Sequence, residues 1–151
     1  SPGRSSMTLV ERVRKGTRFY PPGSNAIVDA RDVAECMVKL VEQGISGERY
    51  LLVGENLSYR ALFDHLCRAF ERPSPTTALH PWMLQLGWRL ERLRSILTGS
   101  KPFITEATAH SSIIQRSYSA AKVKALLSHQ FRTAEEAALN VAQFVEAQQP
   151  H

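Results

Sequence analysis

Cysteine is scarce in this chain, with two residues in 151, Cys36 and Cys67. Both fall within helical patterns beside apolar stripes, so they read as reduced core thiols rather than as a disulfide or a metal pair. The eight glycines never cluster as GxGxxG, and neither a GxSxG elbow nor a P-loop is present. The residues therefore supply no glycine-rich phosphate cradle and no nucleophile elbow. Five histidines are scattered, with no HExxH and no Cys/His cluster, and no metal site is expected. No apolar run approaches the ~20 residues that a helical membrane span needs. The first residues are polar and carry no signal-peptide apolar region. The expectation is a cytoplasmic protein with no membrane partner. Repeats, low-complexity tracts and charge blocks that would mark a second domain are also missing.

What is present suits one ordinary globular domain: 43% hydrophobic and 22% charged residues, enough for a core of its own. The net charge is +5 with pI ≈ 9.6. Much of the excess lies early, in Arg4, Arg12, Arg14, Lys15 and Arg18 against Glu11 alone. Such a balance permits polyanion binding and equally suits a solvated face. No RNA-binding aromatic signature or zinc-finger spacing accompanies it, so nucleic acid is not the expected partner.

The chain is organised around Ser24-Asn25-Ala26-Ile27-Val28-Asp29-Ala30-Arg31-Asp32-Val33-Ala34-Glu35. Ala26 to Val28 have strand character. Asp32 reads as the N-cap of the next helix, with Glu35 completing a capping box. Val33, Ala34, Met37, Leu40 and Val41 form one helical face, and Gly44 stops the helix. Asp29 and Arg31 read as a surface pair fixing the strand–helix corner. A second strand is expected over Gly47 to Gly54, and Ser58 is the N-cap candidate for a helix that buries Leu62, Phe63, Leu66 and Phe70. Ahead of this run lie a helix candidate over Ser5 to Lys15 and a turn, Phe19-Tyr20-Pro21-Pro22-Gly23.

Downstream, Pro73-Ser74-Pro75 ends a helix, and Pro81-Trp82 opens the longest helical pattern, roughly to Leu97. Its stripe of Trp82, Leu86, Leu90, Leu93 and Leu97 reads as core or partner contact rather than a membrane anchor. Thr105 is a cap candidate for a short helix over Glu106 to Ser111. Thr133 and Glu136 form a second capping box, followed by Ala134, Ala137, Ala138, Val141, Phe144 and Val145 in helical phase. The fold class is α/β and helix-rich, with two or more short strands and several helices.

The order VDARDVAE, a helix, SGERYLLVGENLS and another helix resembles the C-terminal half of extended short-chain dehydrogenases/reductases. Within them it is most similar to the NAD-dependent epimerase/dehydratase and dihydroflavonol-reductase-like branch. The resemblance implies that residues 1–151 form a single substrate-binding portion of a Rossmann-type enzyme. The dinucleotide loop and the Ser/Tyr/Lys set would lie upstream, and Ser1-Pro2-Gly3 would match the end of a turn that follows the catalytic helix. The implied function is transfer of a hydride between NAD or NADP and a secondary alcohol or ketone, with a small carbonyl or alcohol compound as substrate. These residues alone would be catalytically incompetent.

The resemblance also assigns Phe19 and Tyr20 to a wall of the substrate pocket, beside the plainer reading of a hydrophobic turn cover. Asn25 takes the position where nucleotide-sugar epimerases usually carry an arginine against the substrate diphosphate. A neutral amide does not replace that bidentate fork, so the substrate is expected to be uncharged or weakly charged. Tyr118-Ser119-Ala120-Ala121-Lys122 fits the YxxxK spacing of the reductases. Residues 116–118 read as extended chain, however, with Ser119 capping a helix from Ala120, so Tyr118 and Lys122 need not share a face. The catalytic residues in this chain are therefore expected to be none.

Cut free of a cofactor-binding half, the apolar face of Val33, Met37, Leu40 and Val41 and an open edge at Leu51 and Val53 would favour a homo-oligomer. The rival expectation is a stand-alone basic helical module for nucleic acid or an acidic protein.

Overall fold

A computed structural model describes residues 6–80, 82, 83, 86, 87, 89 and 112–148. The chain is α/β and helix-rich. In order run α1 (Ser6–Arg14), β1 (Phe19–Tyr20), β2 (Ser24–Ile27), α2 (Ala30–Glu42), β3 (Glu55–Ser58), α3 (Tyr59–Ala69), β4 (Thr77–Ala78), α4 (Ala121–Leu127) and α5 (Ala134–Ala147). The strands make two small sheets: β1 pairs in parallel with β4, and β2 pairs antiparallel with β3 from Ser24–Ser58 to Ile27–Glu55.

Two cores result. Val10 and Val13 of α1, Phe63, Leu66, Cys67 and Phe70 at α3, and Ala138, Ala142 and Val145 of α5 bury one another. The alanines of α5, four residues apart, keep that face thin enough for α3 to lie close. Ser58 caps α3 by accepting the Ala61 amide at 3.2 Å, and Thr133 and Glu136 form the expected capping box on α5. The second core joins Cys36, Val53, Ala120, Val123 and Leu127. Both thiols are free and buried.

Several sequence expectations are corrected. The N-cap of α2 is Asp29, whose carboxylate accepts the Arg31 amide at 2.8 Å, not Asp32. The helix thus begins at Ala30 and leaves Asp32 in its first turn. Its buried residues are Asp32 and Cys36, while Met37 and Val41 of the expected apolar face are exposed, together with Val38. Val33 and Leu40 are half-buried. Gly44 ends α2 at φ +64° as expected.

The strand expected over residues 47–54 is not formed, and β3 begins at Glu55. A strand exists only with a partner, and none of the described strands runs alongside residues 48–53: β2 pairs with β3 and β1 with β4. Leu51 is exposed, but Val53 is buried in the second core and lies on no open edge. The helix after Tyr118 starts at Ala121, one residue late, although Ser119 Oγ still accepts the Ala121 amide at 3.2 Å.

Residues 82, 83, 86, 87 and 89 are helical, and Trp82 and Leu86 are exposed, so this end of the long stripe is not core. The rest of that stripe, the Thr105 helix and Ser1 to Ser5 lie outside the described residues.

Candidate functional site

The turn after β1 is built by a strap from residues 112–118. Gly23 N–H donates to the Ser112 carbonyl at 3.0 Å and Ser24 N–H to Ile114 at 3.1 Å. Ser24 Oγ and the Arg116 backbone exchange two further bonds, at 3.0 and 2.8 Å. A Cβ at Gly23 would sit 2.6 Å from both the Ser112 and Ile114 oxygens, so only glycine admits the strap this close. Gln115 donates to the Pro22 carbonyl, and Asn56 on β3 clamps both backbone groups of Tyr118 at 2.9 Å.

Phe19, Tyr20 and Asn25 flank this strap without forming one contact group. Phe19 is 40% exposed. Tyr20 is half-buried against the first core, with the Arg60 guanidinium 5.8 Å from its ring centre. Asn25 lies in the other sheet, opposite Leu57, and its Oδ1 accepts the Ala26 amide at 2.9 Å. Of the three, Phe19 offers the freest surface to a ligand. A cavity of about 340 Å³ opens farther along the strap, lined by Gly54, Asn56, Tyr118, Ser119 and Lys124 among others.

Tyr118 and Lys122 do not make a proton-transfer pair. Tyr118 precedes α4, and Lys122 turns away to Glu48 at 2.5 Å and over the Tyr50 ring at 4.7 Å. The Glu48 carboxylate holds that ammonium in its charged form by raising its pKa.

The strongest electrostatic feature is a cluster that sequence reading missed. Asp32 is fully buried and gathers three donors from the other end of the chain. Arg132 supplies its guanidinium and its backbone N–H, the latter at 2.9 Å, and His129 Nε2 lies 3.2 Å away. The same guanidinium reaches Glu35 at 2.7 Å, and Glu35 is the main reason its pKa is raised. Lys39 Nζ stands 3.3 Å from His129 Nδ1. An ammonium can only donate, so Nδ1 accepts and the imidazole proton sits on Nε2, aimed at Asp32. Burial, reinforced by Asp32, pushes the neighbouring Cys36 thiol pKa up.

Ligand atoms of Asp32, Glu35 and His129 lie within 4.8 Å of one another, a spacing a divalent ion could use. The Arg132 guanidinium already bonds both carboxylates, however, and takes the cation's place. The arrangement locks α2 onto the α4–α5 connection. Its sequence signal was the run of polar residues Asp32, Glu35 and Lys39 on one helical face, which the capping pattern obscured.

Beside it, Asp29 holds Arg31 by two bonds, at 3.0 and 2.7 Å, so the expected corner pair exists, with its carboxylate buried rather than at the surface. That guanidinium holds the Asp29 carboxyl below the usual range.

No family model matches the chain. Over 84 residues, 56% of its length, it is 29% identical to sterol demethylase protein B of Methylococcus capsulatus (strain ATCC 33009 / NCIMB 11132 / Bath), and the match covers 26% of that protein. The crystal structure of gox2253 shares the fold over 94% of this chain, with a TM-score of 0.68 and 24% identity, and the overlap is 43% of that chain. The chain thus spans less than half the length of either protein.

Proposed function

We propose that residues 1–151 are the C-terminal, substrate-binding portion of an NAD(P)-dependent reductase or epimerase of the extended short-chain type, acting on a secondary alcohol or ketone. The observation that carries this reading is the element order from β2 through α2 to β3 and α3, with the outer apolar face of α2 uncovered. Met37, Val38 and Val41 share one exposed side of α2, and Leu51 is exposed as well, as they would be if a cofactor-binding half normally covered them. The resemblance to a part of a chain more than twice as long supports the same reading.

The described residues do not fit a dinucleotide. The glycines at positive φ, Gly16, Gly44 and Gly47, stand singly after helices rather than in a strand-to-helix phosphate turn. Tyr118 lies ahead of α4, and Lys122 is paired with Glu48. The nucleotide and the proton-transfer pair therefore belong, on this proposal, to sequence outside these 151 residues.

What this chain would contribute is the substrate wall. Phe19 presents an exposed apolar ring, and Asn25 a neutral amide where a diphosphate would need an arginine. An uncharged, rigid secondary alcohol fits that chemistry, and the name of the sterol demethylase relative points to a sterol as one such compound.

Titration of the 151-residue chain with NADH and NADPH tests the division of labour: no micromolar binding is expected by fluorescence or calorimetry. Micromolar affinity would place the nucleotide on this chain and overturn the reading. The longer reading frame, assayed with ketones that include 3-ketosteroids, is expected to oxidise one of the two nucleotides.

A further inference from the structure

The cavity of about 340 Å³ beside β3 and the start of α4 has no role in the reductase reading, since neither Phe19 nor Asn25 lines it. Val53 and Ala120, buried in the second core, give it an apolar floor. Tyr118, 37% exposed, gives it an aromatic side. Both ends of the Asn56 amide are engaged by the Tyr118 backbone, at 2.9 Å each, so the rim is fixed before any ligand arrives. Ser119 Oγ accepts the Ala121 amide, which leaves its hydroxyl hydrogen to donate. No acidic side chain lines the cavity among the described residues. Lys124 lines it, with Nζ 5.6 Å from the centre of the Phe131 ring. Among the described residues no carboxylate pairs with that ammonium, whereas Lys122, two residues earlier, is tied to Glu48.

We propose that this cavity binds a small organic monocarboxylate with a flat apolar body, its carboxylate on Lys124 and Ser119 and its body against Tyr118, Val53 and Ala120. An unpaired cation beside an apolar floor selects a ligand that carries both negative charge and hydrophobic surface. One ammonium balances one carboxylate; a diphosphate carries more charge than that, and no arginine fork lines the cavity among the described residues. The volume lies near the lower end of the roughly 300–1,000 Å³ of ligand sites, which suits a one- or two-ring acid and is too small for a dinucleotide. The site rests on the strap and the second core, so it holds or fails independently of the reductase reading.

Titration of the 151-residue chain with 2-naphthoate, followed by amide chemical shifts, tests it. Saturable shifts are expected at Gly54, Asn56, Ser119, Ala121 and Lys124. The neutral isostere 2-naphthamide should bind about fivefold more weakly, and acetate, which lacks the apolar body, about tenfold or more. Lys124→Met should bring naphthoate down to the level of naphthamide, and Lys124→Arg should keep the preference for the acid. Ala121 is exposed and lines the cavity, so Ala121→Leu fills the space without disturbing the core and should abolish saturation. Because the naphthoate-to-naphthamide comparison is made on the unaltered chain, it decides the charge preference even if a variant fails to fold. The proposal is overturned if naphthoate gives no saturable shifts at about millimolar concentration, or if the shifts fall outside these residues. It is equally overturned if naphthamide binds as tightly as naphthoate, or if the folded Lys124→Met chain keeps the preference. The NADH and NADPH titrations report on the reductase reading separately, so the two failures are distinguishable.

Discussion

Arg132→Met is the sharpest test of what holds α2 to the C-terminal helices. The guanidinium bonds a carboxylate with no exposed surface, and the methionine keeps an unbranched apolar stem while deleting the charge. Breaking a buried pair by removing one partner typically costs 3–5 kcal/mol, because the other charge stays buried and uncompensated. Asp32 keeps the Arg132 amide and His129, and the Arg132 side chain is itself 31% exposed, which places the loss near the lower end, about 3 kcal/mol. The Glu35 arm adds little: that carboxylate is 44% exposed, in the range where ion pairs are worth ~0–1 kcal/mol. A midpoint drop of roughly 6–12 °C follows for a domain of this size.

Adding Asp32→Asn removes the stranded charge, so the double variant should recover more than half of that loss. Arg132→Lys, which keeps the charge but loses the two-pronged fork, should fall between wild type and Arg132→Met. Urea unfolding followed by circular dichroism measures these four proteins and the Asp32→Asn single variant, which closes the cycle and gives the coupling. An Arg132→Met loss under about 1 kcal/mol, or strict additivity of the two substitutions, would show that Asp32 is solvated or redundantly held and refute the reasoning.

Two further outcomes are expected. The depressed Asp29 carboxyl contributes stability that is fully present above its unfolded value of about 3.9 and is lost as pH falls through the lower folded value. The urea midpoint should therefore drop below about pH 4, and Asp29→Asn should lower stability at neutral pH while flattening this acid limb; an unchanged limb would mean Arg31 does not hold that carboxylate. The exposed Met37, Val38, Val41 and Leu51 should make the 151-residue chain self-associate, with Met37→Glu plus Val41→Glu restoring a monomer in light scattering. A wild-type monomer at high concentration would remove the claim that this face needs a cover.

Features legible in the sequence are those decided within one or two helical turns. Ser58, Thr133 with Glu136, and Gly44 cap their helices by contacts to residues at most four positions away, and Leu62, Phe63, Leu66 and Phe70 share one side of α3. Asp29 and Asp32 each carry capping chemistry, and local spacing favoured the wrong one because Glu35 completes a box only with Asp32. The partners that settle the matter, His129 and Arg132, are 97 and 100 residues away. The same limit explains residues 47–54, whose apolar run Tyr50-Leu51-Leu52-Val53 is strand-like in composition but lacks an adjoining strand. The candidate substrate residues divide similarly: the exposure of Phe19 could not be told from the half-burial of Tyr20 without β4 and α3 in place.

Helix α2 turns the usual order inside out. It buries an aspartate and a cysteine and exposes a methionine and two valines, with Val41 at 78% exposure. Burying a carboxylate is costly unless it is paired and hydrogen-bonded, and here Arg132 and His129 supply both. A helix anchored by so specific a network, while its apolar side faces water, is positioned for a second contact. The network fixes the rotation of α2 about its axis, and that rotation aims Met37, Val38 and Val41 outward in one direction. Weakening the anchor should therefore disturb association through that face even though no residue of the network lies on it.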